Sequence, residues 1–560
     1  MLIIIFAMGS IFYVSHSYID PFFTSGMLWT GYIVAVGWVV WLLGSKGIVR
    51  VPRMVGYWGA VLVAYIVVAW CNGSFSVQHF SFLLALYGLM WLFAQGEKDM
   101  NGIGVCICIA SIGAVEALWG IGQWMGWVKG YNSLLSVTGS FDNPAGYAEV
   151  LAVCMPFALH VVCRLKGGGR WYSVIVSVIL LVGILLSGSR TGIMAMGVVV
   201  AGCVSHYIRW NMQVRRWLLL VGVLAGVVLV IGLYFVRRDS ADGRLLVWRC
   251  TWELIGEKPV MGHGAGSFGG RYMPVQARYL TEHPNERHDW LAGNVKHPFN
   301  EYLKLWVEYG VAGLIVVAIG VAGVLRRKRE EDEICFVARM SVMALGVCGM
   351  FSYPLNYPSI CCLLAINGGL LLRYEKGWNV NRGWARRIGV PVCVALLGFT
   401  VYWQRMERYW YRTSQLALSG TMNVLPDYER LYAFMGRNPL FLYNYGAELH
   451  ARELWRAAAV QLEICAKQLN DTDVQLLLAE CYAESGDKRR AEVCFILASQ
   501  MCPNLFVPEY QLVELYRSMG REREAMEIAH KLLQKPVKVQ TYVAKKIQRE
   551  MQEYLRGSKK

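Results

Sequence analysis

The sequence predicts an all-α fold, a polytopic membrane bundle of about 12 to 13 transmembrane helices followed by a helical-repeat domain. Three observations carry that expectation. Hydrophobic residues make up 56% of the 560 positions and charged residues only 17%, a balance that suits lipid rather than water as the solvent. Apolar stretches long enough to cross roughly 30 Å of hydrocarbon recur as far as Trp403. Beyond that point the chain turns amphipathic and acquires a period of 34 residues.

In order, the predicted spans are 2–17, 27–44, 55–71, 80–95, 102–126, 144–163, 171–187, 191–208, 217–235, 302–325, 339–353, 357–372 and 389–403. The first lacks the basic leader and small-residue cleavage site of a signal peptide and reads as a helix. Lys and Arg resist translocation, so their position in short loops sets orientation. They follow the even-numbered spans: Lys46, Arg50 and Arg53; Arg164, Lys166 and Arg170; Arg209, Arg215 and Arg216; Arg326 to Arg329; Arg373, Lys376, Arg382, Arg386 and Arg387. This pattern places the N-terminus in the cytoplasm, and the long loop 237–301 and the C-terminal domain outside. The net charge of +16 then reflects turns beside anionic headgroups rather than nucleic-acid binding. Most of the sixteen cysteines lie in apolar helices without ligand-like spacing.

Residues 1–403 therefore form the membrane domain, 404–425 a linker, and 426–560 the repeat domain. In the last, Ala457, Ala491 and Ala525, Tyr482 and Tyr516, and Gly486 and Gly520 recur at 34 residues, and Pro503 and Pro536 at 33. This resembles tetratricopeptide repeats: Gly breaks between two helices, Ala lets them pack closely, and Pro ends the second. Such an array binds a protein or peptide partner.

Charge is expensive in a bilayer, so polar clusters at the outer helix ends are the candidate sites. Ser187-Gly-Ser-Arg190 puts Arg190 at a tight turn whose small residues let a phosphate approach backbone N–H groups and a guanidinium fork. The loop 237–301, about 65 residues, exceeds ordinary connection length. It opens with Arg244, Trp248 and Arg249 and continues through Pro259-Val-Met-Gly-His-Gly-Ala-Gly-Ser-Phe268, a glycine run without the lysine of a P-loop. It also holds His263, His283, His288 and His297, four of the ten histidines, in no familiar metal-ligand spacing. A histidine acting as a base, or orienting one, is the sharper reading. His297 leads into Asn300 and Glu301, and Asn300, Lys304 and Glu308 share one helix face. Thr138-Gly-Ser-Phe-Asp-Asn-Pro144 reads as an outward turn capped by Asp142 or Asn143.

These segments, in this order, resemble the O-antigen ligase superfamily, the membrane glycosyltransferases that include O-antigen polymerases and protein O-oligosaccharyltransferases. The resemblance rests on Ser187 to Arg190, on the Arg244-x-x-x-Trp248 start with its glycine run, on Asn300-Glu-Tyr-Leu303 followed by Val307-Glu-Tyr-Gly-Val-Ala-Gly-Leu314, and more weakly on the turn at 138–144. It implies a GT-C-like bundle in the bacterial cytoplasmic membrane that moves a glycan from undecaprenyl diphosphate to an acceptor hydroxyl, on a lipid core sugar or a Ser/Thr of an exported protein, without metal or other cofactor. Arg190 and Arg244 match the family's functional arginines, with Arg249 a neighbour at the donor diphosphate, and Asn143, Asn300 and Glu301 are supporting residues. Where the family usually has His before the Asn of the third motif, this chain has Phe299. Three assignments of the base follow: His297, another group such as Glu301 or a loop histidine, or none, the arginines sufficing. The alternative functions are a polysaccharide polymerase and, from another class, a non-catalytic scaffold acting through its repeats.

Overall fold

The computed structural model describes residues 2–44, 48–73, 75–96, 102–131, 137–208, 238–326, 332–420 and 423–557, with single positions between 211 and 235. Among these, nine helices are long and apolar enough to cross a membrane: α2 (Pro21–Gly44), α3 (Arg53–Cys71), α4 (Val77–Ala94), α5 (Gly102–Trp124), α6 (Pro144–Arg164), α7 (Gly167–Ser187), α12 (Glu301–Leu325), α13 (Glu333–Phe351) and α15 (Arg382–Ser419). Two shorter apolar helices join them, α1 (Leu2–Met8, continued by a 3-10 turn Gly9–Ile11) and α14 (Pro358–Leu372), with α8 (Arg190–Tyr207) beside α6. The protein is thus an all-α, multi-pass membrane protein. The predicted span 217–235 and the basic residues Lys46, Arg209, Arg215, Arg216, Arg327, Lys328 and Arg329 lie outside the described residues, apart from scattered positions in that span.

At the centre is α6, buried on nearly every side and packed by α5, α7, α8 and α13. Its apolar character all round is what a helix enclosed by other helices requires. α14, buried at every position but Leu364, packs in the same way against α4 and α13. α3 is mostly exposed and leans on α4 and α12. At one end of the bundle, β1 (Ile48–Pro52) pairs antiparallel with β2 (Gly377–Asn381); we call this the sheet end. The opposite, or loop, end carries α9 (Arg238–Glu257), α10 (Phe268–Glu282) and α11 (Glu286–Leu291), which bury their own apolar cluster around Leu254, Phe268, Tyr272 and Val307.

Two boundaries differ from expectation. The first helix stops well short of residue 17, because Tyr13-Val-Ser-His-Ser17 turns the chain toward α2, where the Ser15 N–H donates to the Ser25 hydroxyl at 2.9 Å. The expected linker 404–425 is helical as far as Ser419. Residues 404–419 contain no Gly or Pro, and α15 ends at Gly420, whose left-handed backbone (φ 66°) caps it. Its 38 residues, about 57 Å at 1.5 Å per residue, carry the chain from the bundle directly into the C-terminal helices.

Those helices are α16 (Leu425–Met435), α17 (Pro439–Ala451), α18 (Trp455–Ala466), α19 (Thr472–Glu484), α20 (Lys488–Met501), α21 (Val507–Ser518), α22 (Glu522–Gln534) and α23 (Tyr542–Gly557). Consecutive members from α17 to α22 pack as hairpins. Gly486 and Gly520 take left-handed turns between partners, and Ala491 and Ala525, five residues on, are fully buried. In the first hairpin the left-handed residue is Glu453 (φ 61°), and the buried alanine five residues later is Ala458 rather than the expected Ala457, which is exposed. The turn, not the bare 34-residue count, sets the register.

The C-terminal helices dock on the loop end. Asn504 Nδ2 donates to the carbonyls of Asp289 (3.1 Å), Trp290 (3.2 Å) and Ala292 (2.6 Å), and the Thr472 hydroxyl donates to Asn294 Oδ1 at 2.8 Å. Gln276 Nε2 donates to the Met501 carbonyl at 2.7 Å, and Met501 and Cys502 complete the apolar cluster under α9 and α10.

Candidate active site

The turn between α7 and α8 spends its serines on the chain itself. Gly188 adopts the left-handed cap of α7 (φ 62°), the Ser187 hydroxyl donates to the Ile184 carbonyl at 2.6 Å, and Ser189 Oγ caps α8 by accepting from the Gly192 N–H at 3.3 Å. Arg190 is consequently the first residue of α8, where the helix's positive end adds to its own charge. Its guanidinium reaches across to α9 and donates to the Ser240 hydroxyl at 3.0 Å.

One turn further along α9, Arg244 lies with its guanidinium 5.5 Å from the centroid of the Phe299 ring and makes no hydrogen bond to any described residue. Burial, and then the positive charge of Arg190, lower its pKa, while Tyr353 and Glu149 oppose the shift. An arginine stays charged under such pressure. Two guanidinium groups close enough to repel each other form a place where an anion is stabilised.

Trp248, one turn beyond Arg244, donates from its indole to the Pro298 carbonyl at 2.9 Å and so pins the segment that leads into α12. Phe299 turns that segment with a left-handed backbone (φ 53°), uncommon for a bulky residue. Asn300 then caps α12, its Oδ1 accepting from the Tyr302 and Leu303 N–H groups at 3.0 Å each. Glu301 Oε1 accepts from the Leu355 N–H at 2.9 Å, which holds the turn between α13 and α14 against the start of α12.

That turn, Ser352-Tyr-Pro-Leu-Asn-Tyr357, supplies residues the sequence reading missed. The Tyr353 ring stacks on His297 (4.9 Å between centroids) and touches Phe299 (5.6 Å). Asn143 caps α6 through Oδ1 and through Nδ2 donates to the hydroxyls of Tyr353, at 3.0 Å, and of Tyr357. The Tyr357 hydroxyl donates to Asp142 Oδ1 at 2.8 Å. Asn143 therefore takes the capping role and leaves Asp142 exposed beside the tyrosines. Two tyrosines between apolar spans, on the side where the basic-residue pattern puts the loop, were the available signal.

His297 is mostly buried, with Nδ1 unpartnered among the described residues, and burial followed by the charges of Lys304 and Lys296 pushes its pKa down to about 3. It is a neutral imidazole at neutral pH. The other three loop histidines lie elsewhere. His263 Nε2 lies 2.9 Å from the Leu254 carbonyl, His283 stacks on Tyr279, and His288 lies 3.4 Å from Arg249. Arg249 is exposed and turned toward His288, away from the Arg244 side chain, so the structure does not bring it to the arginine pair. No three His, Cys, Asp or Glu side chains among the described residues converge as metal ligands.

The glycine run has a mechanical explanation. α12 is broken at Gly310 (φ 65°, ψ −172°), and the run pairs with the break: His263 N–H donates to Val307 at 2.8 Å, Gly264 N–H to Glu308 at 2.8 Å, and Val311 N–H back to Pro259 at 2.9 Å. A Cβ at Gly310 would stand 2.0 Å from the Val260 carbonyl oxygen, and one at Gly262 2.5 Å from the backbone of Tyr309. Only glycine admits that approach. Of the expected helix face, Asn300 is the cap, while Glu308 is buried beside this break.

Residues 175–318, which span Arg190, Arg244 and His297, match the protein family described as O-Antigen ligase. The chain is also similar to the Rickettsia conorii protein named "Putative polysaccharide ligase", with 26% identity over 122 residues, 21% of this chain. That match covers 28% of the Rickettsia protein's length. The stretch from α7 into α12 is accordingly an O-antigen-ligase-like segment set in a multi-pass helical membrane protein.

Proposed function

We propose that this protein transfers a glycan from an undecaprenyl-diphosphate carrier to an acceptor hydroxyl at the outer face of the bacterial cytoplasmic membrane. The observation that carries this reading is the meeting of Arg190 and Arg244, from helices far apart in sequence, beside His297 at one end of the bundle. A diphosphate leaving group needs fixed cations where its charge develops. In this reading the arginine pair holds the diphosphate and the isoprenoid lies along the apolar helices. The neutral His297 takes the proton of the acceptor hydroxyl as that oxygen attacks the anomeric carbon. Phe299, where the family usually carries histidine, instead serves as the platform under Arg244.

Orientation follows the arginines and lysines gathered at the sheet end, which the positive-inside rule assigns to the cytoplasm. The C-terminal hairpins, tetratricopeptide-like in their turn and alanine pattern, dock on residues 289–294, close to His297. That position supports a role in receiving the acceptor or a protein that presents it.

The test is complementation of a deletion strain with wild type, Arg190→Ala or Arg244→Ala, probing lipid-linked polysaccharide and glycosylated exported proteins. Loss of one glycoconjugate, restored by wild type alone, is the expected result and identifies the acceptor. Restoration by a stably inserted Arg244→Ala protein would overturn the catalytic reading in favour of a scaffold, and loss of chain length without loss of attachment would indicate a polymerase.

A further inference from the structure

We propose that Glu116 and Gln123, both in α5, are positioning residues for the transfer, fixing from inside the bundle the turn that holds the tyrosine pair beside His297. The inference rests on the transfer reading above and deepens it. A carboxyl and an amide are costly to bury in an apolar helix, and here they are only 0% and 7% exposed. Seven residues separate them, about two helical turns, so they share one face of α5. That face meets the segment before α6. Gln123 Oε1 accepts from the N–H groups of Thr138 at 2.9 Å and Gly139 at 2.8 Å, and its Nε2 donates to the Gly139 carbonyl at 2.8 Å. Glu116 Oε1 accepts from the Ser140 N–H at 2.8 Å, and the Phe141 N–H closes the turn on the Thr138 carbonyl at 3.1 Å. Four consecutive backbone donors of a buried turn are thereby satisfied, three of them by α5. Gly139 takes a left-handed backbone there (φ 57°), and a Cβ on it would overlap Glu116 Oε1 and the Tyr147 ring.

The two residues that follow carry this constraint to the site. Asp142 Oδ1 accepts from the Tyr357 hydroxyl at 2.8 Å, and Asn143 Nδ2 donates to the hydroxyls of Tyr353, at 3.0 Å, and of Tyr357. The two tyrosine hydroxyls are also bonded to each other, so both rings are held at their far ends. The Tyr353 ring in turn stacks on His297, with 4.9 Å between centroids. Tyr353 faces His297 from the turn after α13, Lys304 from α12 and Lys296 from the neighbouring position; burial, to which the stacked ring contributes, pushes the imidazole pKa down to about 3 ahead of the two lysines. The position and the dryness of the proton acceptor are thus both referred back to α5. A reacting group displaced by about 1 Å can cost on the order of 100-fold in rate. Arg190 and Arg244 are held separately, from α8 and α9, so donor binding does not depend on this chain of contacts.

The experiment uses the full-length protein in liposomes, with an undecaprenyl-diphosphate oligosaccharide as donor and the acceptor identified by complementation. Gln123→Leu, similar in size but without a hydrogen-bonding group, is expected to lower kcat on the order of 10- to 100-fold and to leave the donor KM nearly unchanged. It should also add an acid limb to the kcat profile below pH 6.5. A His297 released from the stack regains part of its ordinary pKa, and it must lose its proton before it can accept one. A general loss of stability produces no such limb. The milder pair Glu116→Gln, which keeps an oxygen for the Ser140 N–H, and Glu116→Leu, which does not, decides the matter if Gln123→Leu misfolds: the first should retain most of kcat, and the second should lose it and show the limb. Combined with Tyr353→Phe, which cuts one of the bonds leading to His297, Gln123→Leu should cost less than it does alone. Wild-type kcat in both leucine variants, a loss confined to donor KM, or a kcat profile without the acid limb would overturn the assignment and, with Arg244→Ala inactive, leave the transfer reading intact. A wild-type protein that transfers nothing would instead remove the reading itself.

Discussion

At the sheet end of the bundle, arginines are spent on the protein. Arg382 and Arg386 donate to the last carbonyls of α2, at Trp41, Leu42 and Leu43, over 2.6 to 3.3 Å; Arg50 donates to the Ala94 carbonyl, and the fully buried Arg373 pairs with Asp332. At the loop end Arg244 lies against an aromatic face with no hydrogen bond to a described residue, and Arg190 donates across to the Ser240 hydroxyl on a neighbouring helix. The same side chain thus serves two purposes. Where it neutralises orphan carbonyls at a helix C-terminus it stabilises the fold, and where, as at Arg244, it makes no hydrogen bond to a described residue it can meet an anion. Counting basic residues distinguishes the two ends only by number; their partners distinguish them by function.

This contrast can be broken by experiment, and the largest effect belongs to the loop end. Arg244→Ala is expected to reduce glycan transfer on the order of 100- to 1000-fold while thermal unfolding in detergent stays near wild type. Next, Gly310→Ala, which forces a Cβ onto the Val260 carbonyl and a side chain into a glycine-only backbone conformation, should cost about 1–3 kcal/mol or more. Protease cleavage near 259–264 would report the freed loop, and a resistant, fully stable variant would refute the buttress. Asn504→Ala strips a shared donor from three carbonyls, a loss of about 1–3 kcal/mol at the docking surface. Hydrogen exchange across 286–297 should rise and transfer should fall several-fold.

His297 supplies the pH dependence. Its folded pKa of about 3 lies below the ordinary 6.5, so between those values the unfolded chain binds a proton that the folded chain does not. Its contribution to stability is complete above pH 6.5 and is lost as pH falls toward 3. Wild type should therefore lose melting temperature relative to His297→Gln over that window and not above it, and transfer should show no ionisation near 6.5 due to this residue. The smallest effect is expected for Arg386→Ala at the sheet end: about 0.3–1 kcal/mol of stability, with transfer unchanged.

Much of this molecule was legible in advance, for reasons that differ by element. The long helices were readable because a span must be apolar along its whole length, whatever it packs against. The candidate pair Arg190 and Arg244 was readable because an arginine next to a membrane span demands an explanation. The glycine run was noticed and its purpose was not, since the backbone it approaches, at Gly310, lies some fifty residues away. Tyr353 and Tyr357 escaped notice because tyrosine at a helix boundary is ordinary until Asn143, from another loop, is seen to hold both hydroxyls. Arg249 was grouped with Arg244 by adjacency, although neighbouring positions on a helix face different ways.

What the sequence determined by itself is whatever depends on local composition: an all-α membrane protein, its principal apolar helices and the short motifs at helix ends. What tertiary structure alone decided is which of those motifs meet. The candidate site is assembled from α6, α8, α9, the segment before α12 and the turn after α13, and no local rule relates elements so far apart along the chain. Burial sets membership of an element by its own surface, whereas convergence depends on how helices pack against one another, and that is fixed only when the whole bundle has closed.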